Sequence, residues 1–429
     1  MCGIAGALYA APRDAETLVR AASALRDSLR HRGPDDEAVW TSPSGQLALA
    51  HTRLSIIDLS PTGRQPMTSS SGRYTAVVNG EFYNFVELRT ELEASGVRFR
   101  GSSDTEVFLE GVAAWGFPEA LTRARGMFAC GVWDEKERRL LLARDRVGKK
   151  PLYIRRSNAA LIFASEINAL IGQVYGTPAI DTNALSDYLS LGYVPGTKTI
   201  YEGLREIPPG TWCAYTPSGR EEAGRYWTFP KRTAPRKSIR AIEERCLELL
   251  DESIRLRLRS DVPIGVFLSG GIDSGLITAL ASRHTGAPLK TFTITFGEGT
   301  FDESPLARCV AQQYGTDHEE IRLEPRLDEL VPAVARAFGE PLGDPSALPT
   351  FAVSRAAALR VKVVLNGEGA DELFGGYRRA TAARMLERLR PLLAPIPRAG
   401  WEWFVNRIPT PHHFRSRYAL VSMAGVPYT

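Results

Sequence analysis

The sequence predicts an α+β layered domain with stacked antiparallel sheets, followed by an α/β domain built on a parallel sheet. Three observations carry this prediction. The 429 residues exceed what one ordinary core needs, since domains run to about 150 residues. Up to about residue 216, short β-rich runs and amphipathic helices come in separate stretches, the pattern of a layered unit. Beyond residue 237, strand and helix alternate, which implies parallel pairing with both sheet faces covered.

In the first half the β runs cover residues 46–51, 73–79, 127–133 and 139–144, the last two flanking a charged turn at 134–138. Helices are predicted over 16–29, over 85–95 with Gly96 as the stop, and over 104–115. The third opens on a capping box, in which Ser103 and Glu106 would serve each other's backbone N–H groups. Residues 217–237 are polar and carry Pro217, Pro230 and Pro235, so they read as a linker between domains at 2–216 and 238–429. A helix over 238–260 then precedes strand 264–268, a helix from Ser274, strand 291–296, a helix over 305–314 and strand 318–323. Helices over 327–338 and 348–360 lead to strand 361–365. No internal repeat is visible.

With 44% hydrophobic and 24% charged residues the chain is neither disordered nor fibrous. Its 53 basic and 49 acidic side chains leave a net charge of +4, which gives no global reason to expect nucleic acid or an anionic membrane as partner. The nine arginines between Arg378 and Arg417 are expected on a solvated helix face or a subunit contact. No apolar run is long enough to span a bilayer, and the apolar start lacks the basic leader of a secretory signal. Five cysteines, odd in number and never spaced Cys-x-x-Cys, indicate neither a disulfide framework nor a zinc site. A cytoplasmic protein is expected.

Cys2 follows the initiator methionine directly. Removal of Met1 would put a free α-amine beside the thiol, and that amine could serve as general base without a histidine. Taken alone, a cysteine in second place reads rather as a small buried hydrophobe. Further motifs decide. Met-Cys-Gly-Ile-Ala-Gly at 1–6, Arg-His-Arg-Gly-Pro-Asp at 30–35, His-Thr-Arg-Leu-Ser-Ile-Ile-Asp at 51–58, Asn-Gly-Glu-Phe-Tyr-Asn at 79–84 and Gly-Ser-Ser-Asp at 101–104 stand in one order. Together they resemble the class II glutamine amidotransferase domain, and the later motifs narrow the resemblance to the glutamine-hydrolysing asparagine synthetases.

The resemblance implies a layered αββα Ntn-hydrolase fold for the first domain, with Cys2 as nucleophile. It places glutamine-binding roles on Arg53, Leu54, Ser55, Ile56, Ile57, Asn79, Gly80, Glu81 and Asp104. The chemistry agrees: the substrate's α-carboxylate wants a guanidinium, which Arg53 can supply, and its α-ammonium wants a carboxylate, which Asp104 and Glu81 can supply. Asn79 and the Gly80 N–H are the oxyanion hole that the resemblance implies. Read alone, Asn79-Gly80 would equally make a hairpin turn.

In the second half, Ser269-Gly270-Gly271-Ile272-Asp273-Ser274 lies between a buried strand and a helix. Paired glycines let backbone N–H groups approach a phosphate at a helix start. The segment resembles the pyrophosphate loop of ATP pyrophosphatases of the adenine nucleotide alpha hydrolase type, and it is not a Walker A loop. A second cluster, residues 366–377, follows the last strand. The resemblance implies that Leu268, Ser269, Gly270, Gly271, Asp273, Ser274, Ile294, Asn366 and Gly367 surround ATP, that Asp273 and Asp371 hold Mg²⁺, and that Glu368 is the acid/base residue at an acyl-adenylate.

The function expected is an ATP-dependent amidotransferase: glutamine hydrolysis at Cys2, adenylation of aspartate in the second domain, and attack of ammonia on the adenylate to give asparagine, AMP and pyrophosphate. A dry passage between the sites would keep ammonia unprotonated. One alternative changes the acceptor to another carboxylate in a specialised pathway. The other keeps glutaminase or binding activity alone, because the family's later Asp-Arg-x-x-Met segment and a late lysine are absent before Thr429 and the synthetase domain is expected to be C-terminally incomplete. Glutamine and aspartate or another carboxylate are the expected partners, with a homodimer as a further expectation; no nucleic acid or membrane partner is expected.

Overall fold

The computed structural model describes residues 1–172, 178–230, 238–296, 302–323 and 326–377, together with residues 384, 385, 387 and 388. The first domain contains, in chain order, β1 (Gly3–Tyr9), α1 (Ala15–Ser28), β2 (Asp36–Thr41), β3 (Leu47–Arg53), β4 (Met67–Thr68), β5 (Tyr74–Phe82), α2 (Phe85–Ala94), α3 (Asp104–Trp115), α4 (Phe117–Arg123), β6 (Gly126–Asp134), β7 (Arg139–Arg144), β8 (Tyr153–Arg156), β9 (Ala160–Ala164), α5 (Ile167–Ile171), α6 (Thr182–Leu191), β10 (Leu204–Glu206), β11 (Thr211–Tyr215) and β12 (Glu221–Arg225). The strands form two six-stranded sheets, ordered β10-β8-β9-β1-β3-β2 and β12-β11-β7-β6-β5-β4. Their named strand pairings are antiparallel throughout.

Side-chain alternation explains the stacking. Along β1 and β3, Ile4, Leu8, Leu47 and Leu49 point inward to meet Val77, Ala129, Trp133 and Leu142 of the second sheet. The intervening Ala5, Ala7, Ala48 and Ala50 point outward, and their small size lets α1 and α5 pack closely through Leu18, Leu25 and Leu170. On the far side, Ala76, Val78, Phe128 and Val132 of the second sheet pack under α3 and α4. The layers therefore run helix, sheet, sheet, helix, as expected. Phe163 crosses between the sheets where Gly6 and Gly131 leave room; a Cβ on either glycine would come within 2.5 and 2.8 Å of its ring.

The second domain contains α7 (Ile239–Arg257), β13 (Ile264–Phe267), α8 (Ile272–Ala281), β14 (Lys290–Phe296), α9 (Ser304–Tyr314), β15 (Asp317–Leu323), α10 (Leu327–Phe338), α11 (Ala347–Ala357), β16 (Val363–Leu365) and α12 (Ala370–Phe374). The strands form a parallel sheet in the order β15-β14-β13-β16. Val266 faces α7 and α8, while Phe292 on the neighbouring strand faces Ala357 of α11, so both sheet faces are covered. The chain reverses its direction of sheet growth between β13 and β16, which makes the gap beyond their carboxyl ends the switch point at which α/β sheets bind ligands.

Three expectations change in the structure. Ser103 caps α3 through the Thr105 N–H at 3.2 Å, but Glu106 turns back to accept from the Arg100 and Gly101 N–H groups, each at 2.9 Å. The reciprocal box is replaced by a pinned approach loop. Strand β12 lies inside the stretch read as linker and pairs with β11, because its polar residues sit at an exposed sheet edge where apolar alternation is not required. The last strand begins at Val363, since Val361 closes the end of α11 through its N–H to Ala357 O at 2.9 Å. The C-terminal arginine cluster lies, apart from Arg384 and Arg388, outside the described residues. No helix among the described residues is long and apolar enough to cross a membrane.

Candidate active site

The register of β1 on β3 sets Gly3 opposite Thr52, so Cys2 lies beside Arg53 at one rim of the sheet stack. Thr52 Oγ1 accepts from the Gly3 N–H at 3.1 Å, and Arg32 Nε donates to the Cys2 carbonyl at 2.9 Å. These bonds fix the backbone, and the thiol donates weakly to the Leu54 carbonyl, its Sγ 3.8 Å from that oxygen. Burial pushes the Cys2 thiol up. The same desolvation lowers the α-amine of Met1, one residue ahead, to about 5. The Met1 amine is thus neutral near pH 7.

Asn79, Gly80 and Glu81 follow on β5. Asn79 is 1% exposed, and neither its Nδ2 nor its Oδ1 has a partner among the described residues. A buried amide left without hydrogen bonds costs about 1–3 kcal/mol, so its persistence here points to a ligand. At Gly80 the strand presses on β6: a Cβ would lie 2.6 Å from the Phe128 Cα and closer still to the Met127 carbonyl. Only glycine fits. Glu81 and Asp104 are buried, which raises Glu81 to about 7, with Asp104 as second cause, and raises Asp104 to about 6 against the pull of the Phe82 and Thr105 N–H groups. Those two amides donate to Asp104 at 2.9 Å each.

Arg53 is buried, and its guanidinium reaches into the loop after β3, donating to Ser60 O at 3.2 Å and to Ile57 and Asp58 carbonyls. It thereby shapes the loop that carries Leu54, Ile56 and Ile57. Ser55 is turned otherwise: its N–H donates to Asp35 Oδ2 at 2.7 Å.

A cavity of about 600 Å³ joins these residues. Its walls include Cys2, Arg53, Asn79, Gly80, Glu81 and Asp104 from the first domain, and Phe267, Thr350, Ser354, Asn366 and Glu368 from the second. The domains meet around it. The Asp58 N–H donates to Asp261 Oδ2 at 2.8 Å, the Asp261 N–H to Ile56 O at 3.0 Å, and Lys362 Nζ to Asp35 Oδ2 at 2.6 Å.

On the second domain, Leu268 leaves β13 with its N–H bonded to Phe292 O at 2.9 Å. Ser269 and Ser274 then close the glycine loop on itself, Oγ to Oγ at 2.8 Å. Gly271 caps α8, and the Gly270 N–H already receives an anionic oxygen, Glu303 Oε2, at 3.2 Å. Gly367, after β16, packs on the loop; a Cβ there would lie 3.0 Å from the Asp273 Cβ and 3.2 Å from the Ser274 N. Ile294 lies near the carboxyl end of β14. Asp273 and Asp371 sit in the first turns of α8 and α12 at the same sheet edge, and neither makes an ion pair among the described residues. Both carboxylates are oxygen donors of the kind that a hard cation such as Mg²⁺ prefers.

Of the expected residues, Cys2, Arg53, Leu54, Ile56, Ile57, Asn79, Gly80, Glu81, Asp104, Asn366 and Glu368 share one cavity, whereas Ser55, the glycine loop, Ile294, Gly367 and Asp371 are not among its walls. Several residues at the site were not foreseen: Lys149, Lys150, Thr350, Ser354 and Lys362 line the cavity, and Glu303 meets the loop. Asp35 stood within a recognised motif without an assigned role; nothing in the spacing of the others sets them apart from solvated surface.

The family model of the glutamine amidotransferase domain matches residues 1–227, and that of asparagine synthase matches residues 245–424. The chain is 35% identical over 401 residues to asparagine synthetase [glutamine-hydrolyzing] 1 of Bacillus subtilis, which covers 91% of this chain and 61% of that protein. It is 32% identical to a Methanocaldococcus jannaschii protein provisionally named asparagine synthetase [glutamine-hydrolyzing] 2, covering 91% of this chain and 78% of that one. Amidase chry2 of Gibberella zeae is 34% identical, with 85% of this chain and 56% of that protein covered.

Proposed function

Because the chain belongs to the glutamine-hydrolysing asparagine synthetase family, we propose that it serves as an ATP-dependent amidotransferase that takes nitrogen from glutamine and gives it to a carboxylate, with aspartate as acceptor and asparagine as product. The observation that carries the reading is one shared cavity with Cys2 and Asn79, whose amide has no partner among the described residues, on one wall and Asn366 and Glu368 on the other.

In this reading the Cys2 thiol gives its proton to its own α-amine and attacks the side-chain carbonyl of glutamine. Asn79 Nδ2 and the Gly80 N–H stabilise the oxyanion. The amine returns the proton to the departing nitrogen, which leaves as ammonia. Arg53 receives the substrate carboxylate; the substrate ammonium recharges Glu81 and Asp104, whose raised affinity for protons marks them as awaiting a cation. At the other end the glycine loop binds the phosphates of ATP through backbone N–H groups, with Leu268, Ser269, Ser274, Ile294, Asn366 and Gly367 around the nucleotide. Asp273 and Asp371 would hold Mg²⁺, which when bound neutralises phosphate charge. Glu368 moves protons where ammonia meets the adenylate, and the walls of the cavity exclude the water that would convert ammonia to ammonium.

A second reading keeps this chemistry and changes the acceptor; the likeness to amidase chry2 favours it. Pyrophosphate release from ATP separates the two: dependence on aspartate supports the first, and dependence on another carboxylate alone supports the second. Cys2→Ala tests both, because it should abolish glutamine-dependent product and leave ammonia-dependent product intact. Loss of both would defeat the division into two sites.

A further inference from the structure

Within the cavity lies a buried cation that the reading above leaves unused. Lys150 is 6% exposed. Its backbone is held at both ends: its N–H donates to Asp145 Oδ2 at 2.9 Å, and its carbonyl accepts from Arg144 Nε at 2.7 Å. Arg144 is itself fixed by Glu206 at 2.7 Å and by Ile207 O at 3.0 Å. This network sends the side chain into the cavity shared with Cys2 and Glu81. There Nζ lies 3.0 Å from the thioether sulfur of Met1. Among the described residues it makes no ion pair, whereas the neighbouring Arg32 is engaged by Glu166 at 2.6 Å. The groups whose charge it feels are Glu81 of β5, Cys2 before β1, Arg32 after α1 and Asp145 after β7. Its position is set against the residue that processing would remove, and Cys2, whose charge it feels, is the next residue along.

We propose that Lys150 is the positioning residue of the amide-hydrolysing site, its ammonium keeping the processed Cys2 α-amine unprotonated and stabilising the thiolate that forms when that amine takes the thiol proton. This rests on the reading of Cys2 as nucleophile. In the step concerned the Sγ–H bond breaks and the proton passes to the α-amine; Sγ bonds the glutamine amide carbon; the C–N bond breaks as the same proton goes to the leaving nitrogen. Lys150 keeps its own protons throughout.

The sign follows from charge. A nearby ammonium lowers the pKa of both amine and thiol, so removing it moves the acid limb of glutamine hydrolysis to higher pH. Burial first, offset in part by Glu81, brings Lys150 itself down to about 8, so the difference from the native protein should fade as pH rises beyond that value.

The test compares Lys150→Met and Lys150→Arg in the full chain with Met1 removed, the processing verified by mass spectrometry. It measures kcat/KM for glutamine hydrolysis and the rate of Cys2 alkylation by iodoacetamide from pH 5.5 to 9.5. The expected result for Lys150→Met is an acid limb displaced upward by one pH unit or more in both profiles, with about a tenfold loss on the limb that recovers above pH 9. Lys150→Arg should retain the native limb. Unshifted profiles in Lys150→Met, or equal shifts in both variants, would overturn the inference; if Lys150→Met does not fold, Lys150→Gln is read in the same way. Cys2→Ala is the separate control: glutamine hydrolysis surviving it would defeat the nucleophile assignment, whatever the lysine variants show.

Discussion

Replacing Glu81 by glutamine should stabilise the protein at alkaline pH, and the size of the effect follows from one buried carboxyl. Glu81 is 7% exposed, and burial, followed by the nearby Asp104, raises it from 4.5 to about 7. A carboxyl whose folded pKa is raised binds its proton more tightly in the folded state, so stability is lost as pH rises from the unfolded value through the folded one. At pH 8 the folded group is mostly charged against its environment, a cost of about 3 kcal/mol; at pH 5 it is mostly protonated, and the cost is under about 1 kcal/mol. Glutamine removes the charge at both pH values. Glu81→Gln should therefore raise Tm by roughly 5–10 °C more at pH 8 than at pH 5, taking 2–4 °C per kcal/mol for a domain of this size. Thermal unfolding of both proteins followed by near-ultraviolet circular dichroism at the two pH values is the assay. A shift independent of pH, or a destabilised variant at pH 8, would show that burial does not strain the carboxylate and that Glu81 does not wait for the substrate ammonium.

Asn79→Ala should lower kcat for glutamine hydrolysis by about 10²–10³ without lowering Tm, because among the described residues its amide has no partner to lose; a fall in Tm with unchanged kcat would make it structural. Asp273→Asn should suppress pyrophosphate release from ATP while glutamine hydrolysis continues, and equal loss of both would contradict the assignment of Asp273 to the nucleotide end. Lys362→Met should cost only about 0–1 kcal/mol in urea unfolding, since the pair with Asp35 is partly exposed. It should nevertheless raise the glutamine consumed per amide formed, because Asp35 also holds Ser55; an unchanged ratio would show that the two loops act separately.

Much of the architecture was legible in sequence because its determinants are local. Helix α3 has the expected bounds, Asp104–Trp115, because its cap residue and amphipathic pattern lie within the segment, and β7 has its expected bounds beside the charged turn at 134–138. Where determinants are not local, the reading changed. Glu106 is correctly spaced for a capping box, yet two amides of the preceding loop compete for its carboxylate and win. Strand β12 has no apolar alternation, since its partner β11 rather than a core holds it. In the site, Cys2 and the Ser269–Ser274 loop could be named from residue order, but Lys150 could not: a lysine pair after Val147-Gly148 looks like a solvated turn until Arg144 and Asp145 are seen to turn the second one inward.

The sequence by itself determined which chemistries are available: a thiol one methionine from the terminus, a glycine loop between strand and helix, and acids at the ends of strands. Such patterns span a few residues, and covalent neighbourhood alone sets them. Tertiary structure decided their electrical state and their meeting. Among the described residues the Asn79 amide stands unpartnered, Glu81 and Asp104 cling to protons, and Asp35 touches both Ser55 and Lys362 only because stacked sheets desolvate groups and packed domains bring together residues separated by hundreds of positions along the chain. Desolvation depends on what covers an atom from every side, which no stretch of neighbouring residues specifies.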